Sequence, residues 1–207
     1  MRREIVFNWL MAQYAGPGRF YHTAAHIERM FRQWHEVSGA VSVSEPYSLS
    51  LAIWFHDCVY DPRRYDNEER SADEAGSRLA PRCVSDAVPE RVGRMIRAAA
   101  THEAAEDWDA ALLLDLDLEI LSATAGDYDA YAGAVHREYG FVPDADFRAG
   151  RLRVLRRFLE RPRIYATGPL FAEHEQAARG NLAREIAALL SLPRAIVRCP
   201  QFEPVNR

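Results

Sequence analysis

A chain of 207 residues with 48% apolar and 27% charged residues has enough material to bury a sizeable core in one domain, residues 1–207, without staples. The formal net charge of −4 offers no global attraction to nucleic acid or to an anionic membrane, and no apolar run approaches the length of a membrane span. Three scattered cysteines, Cys58, Cys83 and Cys199, argue against a disulfide framework or a zinc ribbon and fit a reducing cytoplasm. Every basic residue is Arg. Compositional bias explains that, and it permits bidentate phosphate contacts without arguing for them.

The opening segment, Met1 to Leu10, is too short and interrupted for a signal peptide, and a first helix is expected over residues 2 to 14. Gly16-Pro17-Gly18 then breaks the chain. Thr23 suits an N-cap, and Ile27, Met30, Phe31 and Trp34 supply the buried stripe of a helix that ends near Val37. His26 falls in its first turn, with His22 just before the helix or one turn below. Two His four apart are commonly exposed or capping residues, but this pair follows a tight turn and adjoins an apolar stripe, as metal ligands do.

After a loop at residues 38–44, Leu49, Ala52, Ile53, His56 and Tyr60 share one face of a helix expected to end near Tyr60-Asp61-Pro62. His56 therefore faces the core, and Asp57 lies about 100° further round, within reach of one ion placed between them. A buried Asp costs several kcal/mol unless it is paired or bound to a metal, so this dipeptide needs a partner from elsewhere. Asp66 to Ala72 reads as an acidic helix start. Glu68 and Glu69 serve capping there, or accept hydrogen bonds from groups around a site.

From Val88 the register Val88, Val92, Met95, Ala99 runs on to His102, which is a hydrogen-bonded core residue, a ligand to a second metal or a contact to substrate. In the following helix Ala110, Leu113, Leu114, Asp117, Leu118 and Leu121 form one stripe. Asp117 is then the buried carboxylate that needs a cation, while Asp115, about 200° away, is supporting or structural. Three more helices are expected near 127–139, 145–160 and 170–190. Seven arginines surround the middle one and read as a solvated face. Arg151 stands apart on the apolar side and seeks an anion, either a protein carboxylate or a ligand phosphate. His136 and His174 lack partner spacing and read as structural, and residues 193–207 read as an extended arm.

Buried-face positions thus supply His26, His56, Asp57 and Asp117. Two imidazoles and two carboxylates without a thiolate suit Mn²⁺, Fe²⁺, Zn²⁺ or Mg²⁺ with positions open for water. The order His … His-Asp … Asp on an all-α chain resembles the HD superfamily of metal-dependent phosphohydrolases. Tyr21-His22-x-x-x-His26-Ile27 is similar to a segment of that superfamily's cyclic nucleotide phosphodiesterases. Trp54-Phe55-His56-Asp57-x-Val59-Tyr60-Asp61-Pro62, Asp66-Asn67-Glu68-Glu69-x-Ser71-Ala72, Leu114-Asp115-Leu116-Asp117-Leu118-x-Ile120-Leu121, Gly150-Arg151 and Arg163-Ile164-Tyr165 resemble a bacterial family of predicted HD phosphohydrolases.

The resemblance, over roughly residues 18 to 190, implies an HD-domain-like helical bundle. It makes His26, His56, Asp57 and Asp117 ligands to a divalent metal (Mn, Fe, Zn, Ni or Mg), one per chain. It makes His22 the proton donor to a leaving group, although Thr23 stands where many relatives carry Asn. The implied reaction is hydrolysis of a small phosphorylated substrate, nucleotide-like, in the cytoplasm. Asp57 or Asp117 would take a proton from water, and Arg151 and His102 would offset phosphate charge. Members with two metals carry further His ligands between the His-Asp pair and the last Asp, where this chain offers His102 alone. Two rival readings are an HD-type di-iron oxygenase and a non-catalytic, metal-stapled binding module.

Overall fold

Helix follows helix along the chain because apolar positions recur at three- and four-residue spacing and Gly or Pro punctuates most of the connections. The computed structural model describes residues 2–80, 87–100 and 107–191. Among these residues the elements are α1 (Arg2–Tyr14), α2 (Ala24–Val37), α3 (Pro46–Phe55), α4 (Asn67–Leu79), α5 (Ala87–Ala99), α6 (Trp108–Asp117), a 3-10 helix (Glu119–Ser122), α7 (Ala125–Glu138), α8 (Asp144–Glu160) and α9 (Gly168–Ser191), with no strand. The protein is an all-α bundle. No helix among the described residues is long and apolar enough to cross a membrane.

The core lies where α3 packs on α2, α4, α5 and α6, with α9 closing the 3-10 helix and α8. Leu49, Ala52 and Ile53 of α3, Ile27 of α2, Ile96 of α5 and Leu112 of α6 are fully excluded from solvent. Each large aliphatic side chain so buried contributes roughly 1.5–3 kcal/mol relative to exposure. Helix starts are fixed by chemistry as well as by pattern. Pro46 opens α3, and the buried Asp109 carboxylate accepts the Ser44 and Glu45 amides at 3.0 and 2.9 Å while pairing with Arg91 at 2.9 Å. Thr23 does occupy the N-cap of α2, but its hydroxyl caps nothing; it points to the Tyr21 carbonyl, 3.5 Å away.

Two expectations need correction. Helix α3 stops at Phe55, not near Tyr60, so His56 is its C-cap and Asp57 lies in the turn beyond. The cause is competition for the carbonyls at the end of the helix. The Arg19 guanidinium donates to the Asp57 and Cys58 carbonyls at 2.9 and 3.0 Å, and Ser71 of α4 takes both backbone groups of Val59. The second concerns α6, which ends at Asp117, where the chain tightens into the 3-10 helix and breaks the projected stripe. Asp115 is the more deeply buried carboxylate, at 1% exposure, because residues 164–167 cover its side of the helix. Cys83, His102, Cys199 and the arm expected at 193–207 lie outside the described residues.

Candidate metal centre

Three helix ends converge on one point. His26 stands in the first turn of α2, His56 caps the C-terminus of α3 with Asp57 next to it, and Asp117 is the last residue of α6. Each contributes one donor atom, and the four atoms lie within 4.8 Å of one another. His26 Nε2 is 3.0 Å from Asp117 Oδ1 and 3.3 Å from His56 Nε2, while His56 Nε2 is 3.2 Å from Asp57 Oδ2. Donors bound at about 2.0–2.2 Å to a common centre stand roughly 3–3.5 Å apart, which these three pairs match, while His56–Asp117 and His26–Asp57 stand wider at 3.7 and 3.9 Å. Two C-terminal helix ends also direct partial negative charge towards the spot, which favours a cation. These four side chains can hold a metal ion.

One of the imidazoles is set for that role by its outer nitrogen. His56 Nδ1–H donates to the Ile53 carbonyl at 3.0 Å, which leaves the Nε2 lone pair facing the cluster. Both rings are almost wholly buried, whereas the Asp57 and Asp117 side chains keep 14% and 17% exposure, leaving one open side. Charges within the group pull against burial. Burial pushes His56 down, but Asp57 and the bond to Asp117 overcome it and raise its pKa well above 6.5. For His26 burial wins, helped by the neighbouring His56 charge, and its pKa is lowered. Burial would raise Asp57, but the His56 charge and hydrogen bond hold it below the usual carboxylate range. One shared positive charge thus stabilises two carboxylates, which is the role a cation fills more completely.

Beside the cluster stands His22, in the segment just before α2 and about one-fifth exposed. Its Nδ1 is 2.7 Å from Glu138 Oε2, and its ring stacks on Tyr60 with centroids 4.0 Å apart. Glu138 was not singled out from the sequence, yet it organises this corner. Its Oε1 accepts the amides of Phe20, Tyr21 and His22 at 2.7, 2.8 and 3.0 Å, and its Oε2 accepts the Tyr60 hydroxyl at 2.9 Å. Burial would raise Glu138, but the His22 hydrogen bond and charge outweigh it and hold the carboxyl at about 2. The same bond outweighs burial at His22 and raises its pKa above 6.5. The spacing Tyr128, Tyr131, Val135, Glu138 put this carboxylate on the buried stripe of α7, a signal available in the sequence.

Arg19 is the second residue that sequence reasoning passed over. Gly18, at φ +83°, makes the turn that lets Arg19 run back under the site, where it also donates to the His22 carbonyl at 2.8 Å. The remaining expectations divide. Asp115 is structural, accepting the Ala166 and Thr167 amides at 2.8 and 2.7 Å and the Thr167 hydroxyl. Arg151 found a protein carboxylate: Glu185 accepts from its Nε and Nη2 at 2.8 and 3.0 Å. Glu68 sits half-buried in the first turn of α4 and makes no hydrogen bond or ion pair among the described residues. His174 is fully used, between Ser122 Oγ at 2.8 Å and the Gln33 amide at 3.1 Å, and His136 pairs with Asp144 on the surface. Set against family models, curated proteins and solved structures, the chain matches none of them, and the chemistry of the site is argued from its own geometry.

Proposed function

We propose that the protein is a metal-dependent hydrolase of small phosphate esters, with His26, His56, Asp57 and Asp117 as the ligands of one divalent cation. The observation that carries this reading is the convergence of those four donors within 4.8 Å, on the side of the fold where His22 is held by Glu138. The order of the residues resembles that of the HD superfamily, and the geometry supports the same division of roles. A cation bound there would supply Lewis acidity, bringing the pKa of a water from about 15.7 towards about 7 and polarising a phosphoryl oxygen.

The chain's own groups provide the rest. Asp57, kept ionised beside His56 and partly open to solvent, accepts a proton from the attacking water. Glu138 stabilises the charged form of His22 and raises its pKa, which favours its holding the proton that it gives to the departing alkoxide. Glu138, with its five hydrogen bonds, fixes the tautomer and direction of the ring, and Tyr60 fixes its plane. Arg151, engaged with Glu185, is left out of the phosphate-binding role.

The test is metal analysis of protein purified without a polyhistidine tag, alongside Asp117→Ala. A single equivalent of Mn, Fe, Zn, Ni or Mg that the variant loses, followed by phosphate release from nucleotides or sugar phosphates with that metal, supports the proposal. A pair of irons per chain would move the assignment to an oxygenase. A metal that stays in Asp117→Ala would refute the ligand set, and full metal without turnover on any phosphoester would refute the hydrolase.

A further inference from the structure

On the far side of the His22–Tyr60 layer the structure opens a cavity of about 430 Å³ whose lining includes Arg19, Arg63, Arg137, Asp61, Glu138 and Phe141. Several arginines elsewhere in the molecule close on carboxylates at hydrogen-bond distance, among them Arg64 on Asp66, Arg78 on Glu74, Arg91 on Asp109, Arg97 on Glu69, Arg151 on Glu185 and Arg184 on Asp129. The three around this cavity do not. Arg19 donates only to backbone carbonyls. Arg63 lies over the Phe141 ring at 4.2 Å, and its nearest carboxylate, Asp61, stands 3.8 Å away. Arg137 lies over the Phe20 ring at 3.9 Å and has no carboxylate partner among the described residues.

The acids on the wall do not cancel them. Both oxygens of Glu138 are taken, by three backbone amides, the His22 ring and the Tyr60 hydroxyl. Asp61 Oδ1 accepts the Arg63 amide at 3.0 Å, which turns it to its own turn. Three guanidinium groups therefore line the cavity with two carboxylates, neither of which closes on any of them at hydrogen-bond distance. Carbonyls and aromatic faces hold these cations in place without neutralising them, the arrangement that suits a planar fork awaiting an oxyanion.

We propose that this cavity is an anion site, which binds the phosphate of a phosphorylated small molecule and is separate from the His/Asp cluster. Tyr60 and Glu138 form the wall between the two. The site stands whether or not the cluster is hydrolytic, because none of its three arginines belongs to that cluster.

Isothermal titration with inorganic pyrophosphate at low ionic strength, on protein stripped of metal by chelation, tests it. Wild type and Asp117→Ala should bind the probe alike. The double variant Arg63→Ala/Arg137→Ala, at exposed positions, should bind at least about tenfold more weakly while unfolding at the wild-type temperature. Arg137→Gln alone keeps the neighbouring packing and should give an intermediate loss. No binding by stripped wild type, binding unchanged in the double variant, or binding abolished by Asp117→Ala would each overturn the proposal. The last outcome would place the anion at the metal cluster.

Discussion

Asp115 and Asp117 stand two residues apart on α6 and teach opposite lessons. Asp115 is the deeper, at 1% exposure, yet its oxygens are taken by two backbone amides and a hydroxyl that the fold itself delivers. Asp117 is shallower, at 17% for its side chain, and looks at two imidazoles and a second carboxylate. The same contrast separates His174, satisfied by Ser122 and Gln33, from His26, whose Nε2 faces another Nε2 at 3.3 Å. Depth of burial does not distinguish a structural polar group from a functional one. What distinguishes them is whether the partners are fixed dipoles of the fold or other titratable groups that share one unmet need for charge.

Substitutions at the two positions should therefore fail in different ways. The largest effect is expected at the cluster: His56→Ala should lower metal affinity by more than about a hundredfold, read by competition with a chromogenic chelator. Retention of wild-type affinity would remove His56 from the ligand set. Asp115→Ala should spare metal content but strand two buried donors of Thr167 and the partly buried Ala166 amide, costing roughly 3 kcal/mol of unfolding free energy in urea. If instead Asp115→Ala lost the metal and kept its stability, the contrast between the two carboxylates would be inverted.

The pair formed by His22 and Glu138 lies between these extremes and carries a pH signature. Glu138 is lowered from 4.5 to about 2, so its contribution is present above pH 4.5 and is lost as pH falls towards 2. His22 is raised above 6.5, so its contribution is full below pH 6.5 and is lost as pH rises through its elevated value. The stability gap between chelator-treated wild type and Glu138→Gln should then be widest between pH 4.5 and 6.5 and narrow on both sides. A gap that is flat with pH would mean that Glu138 acts only as an acceptor for the three amides. The activity profile supplies a second readout, since Glu138→Gln should lose the alkaline part of its range first.

Much of this was written in the sequence, for identifiable reasons. Spacing of three and four located the helices, and the ends of α1 and α2 fell where Gly-Pro-Gly and the loop after Val37 placed them. His26 and His56 were legible because polar residues on apolar stripes need partners, whereas Asp57 was read from its place beside His56 and Asp117 from a stripe that the structure breaks; the structure does bring the four together. The early end of α3 was not legible, since it depends on Arg19 reaching carbonyls 38 and 39 residues away. The burial of Asp115 depends likewise on residues 51 and 52 positions later. Glu138 was legible by its register on α7 but went unread, because a glutamate at a helix end before Tyr139-Gly140 passes easily for a solvated one.

The smallest expected effects sharpen the comparison most, because they remove a single oxygen. The Tyr60 hydroxyl donates to Glu138 at 2.9 Å, so Tyr60→Phe should cost about 1 kcal/mol, the worth of one hydrogen bond to a charged acceptor that keeps its other donors. The Tyr21 hydroxyl is buried and has no hydrogen-bond partner among the described residues. Burying an unpaired hydroxyl is unfavourable, so Tyr21→Phe should leave stability within about 0.5 kcal/mol of wild type or raise it slightly. Thermal and urea unfolding of the two variants side by side decide the matter, since both remove the same atom from the same kind of ring. Equal losses would show that Tyr21 is bonded in solution, with Arg29 as the donor, its guanidinium carbon being 5.3 Å from the Tyr21 ring centroid. A loss at Tyr60 alone would mean that the fold's own dipoles satisfy the Glu138 corner, while the polar groups around His26 are left to a ligand.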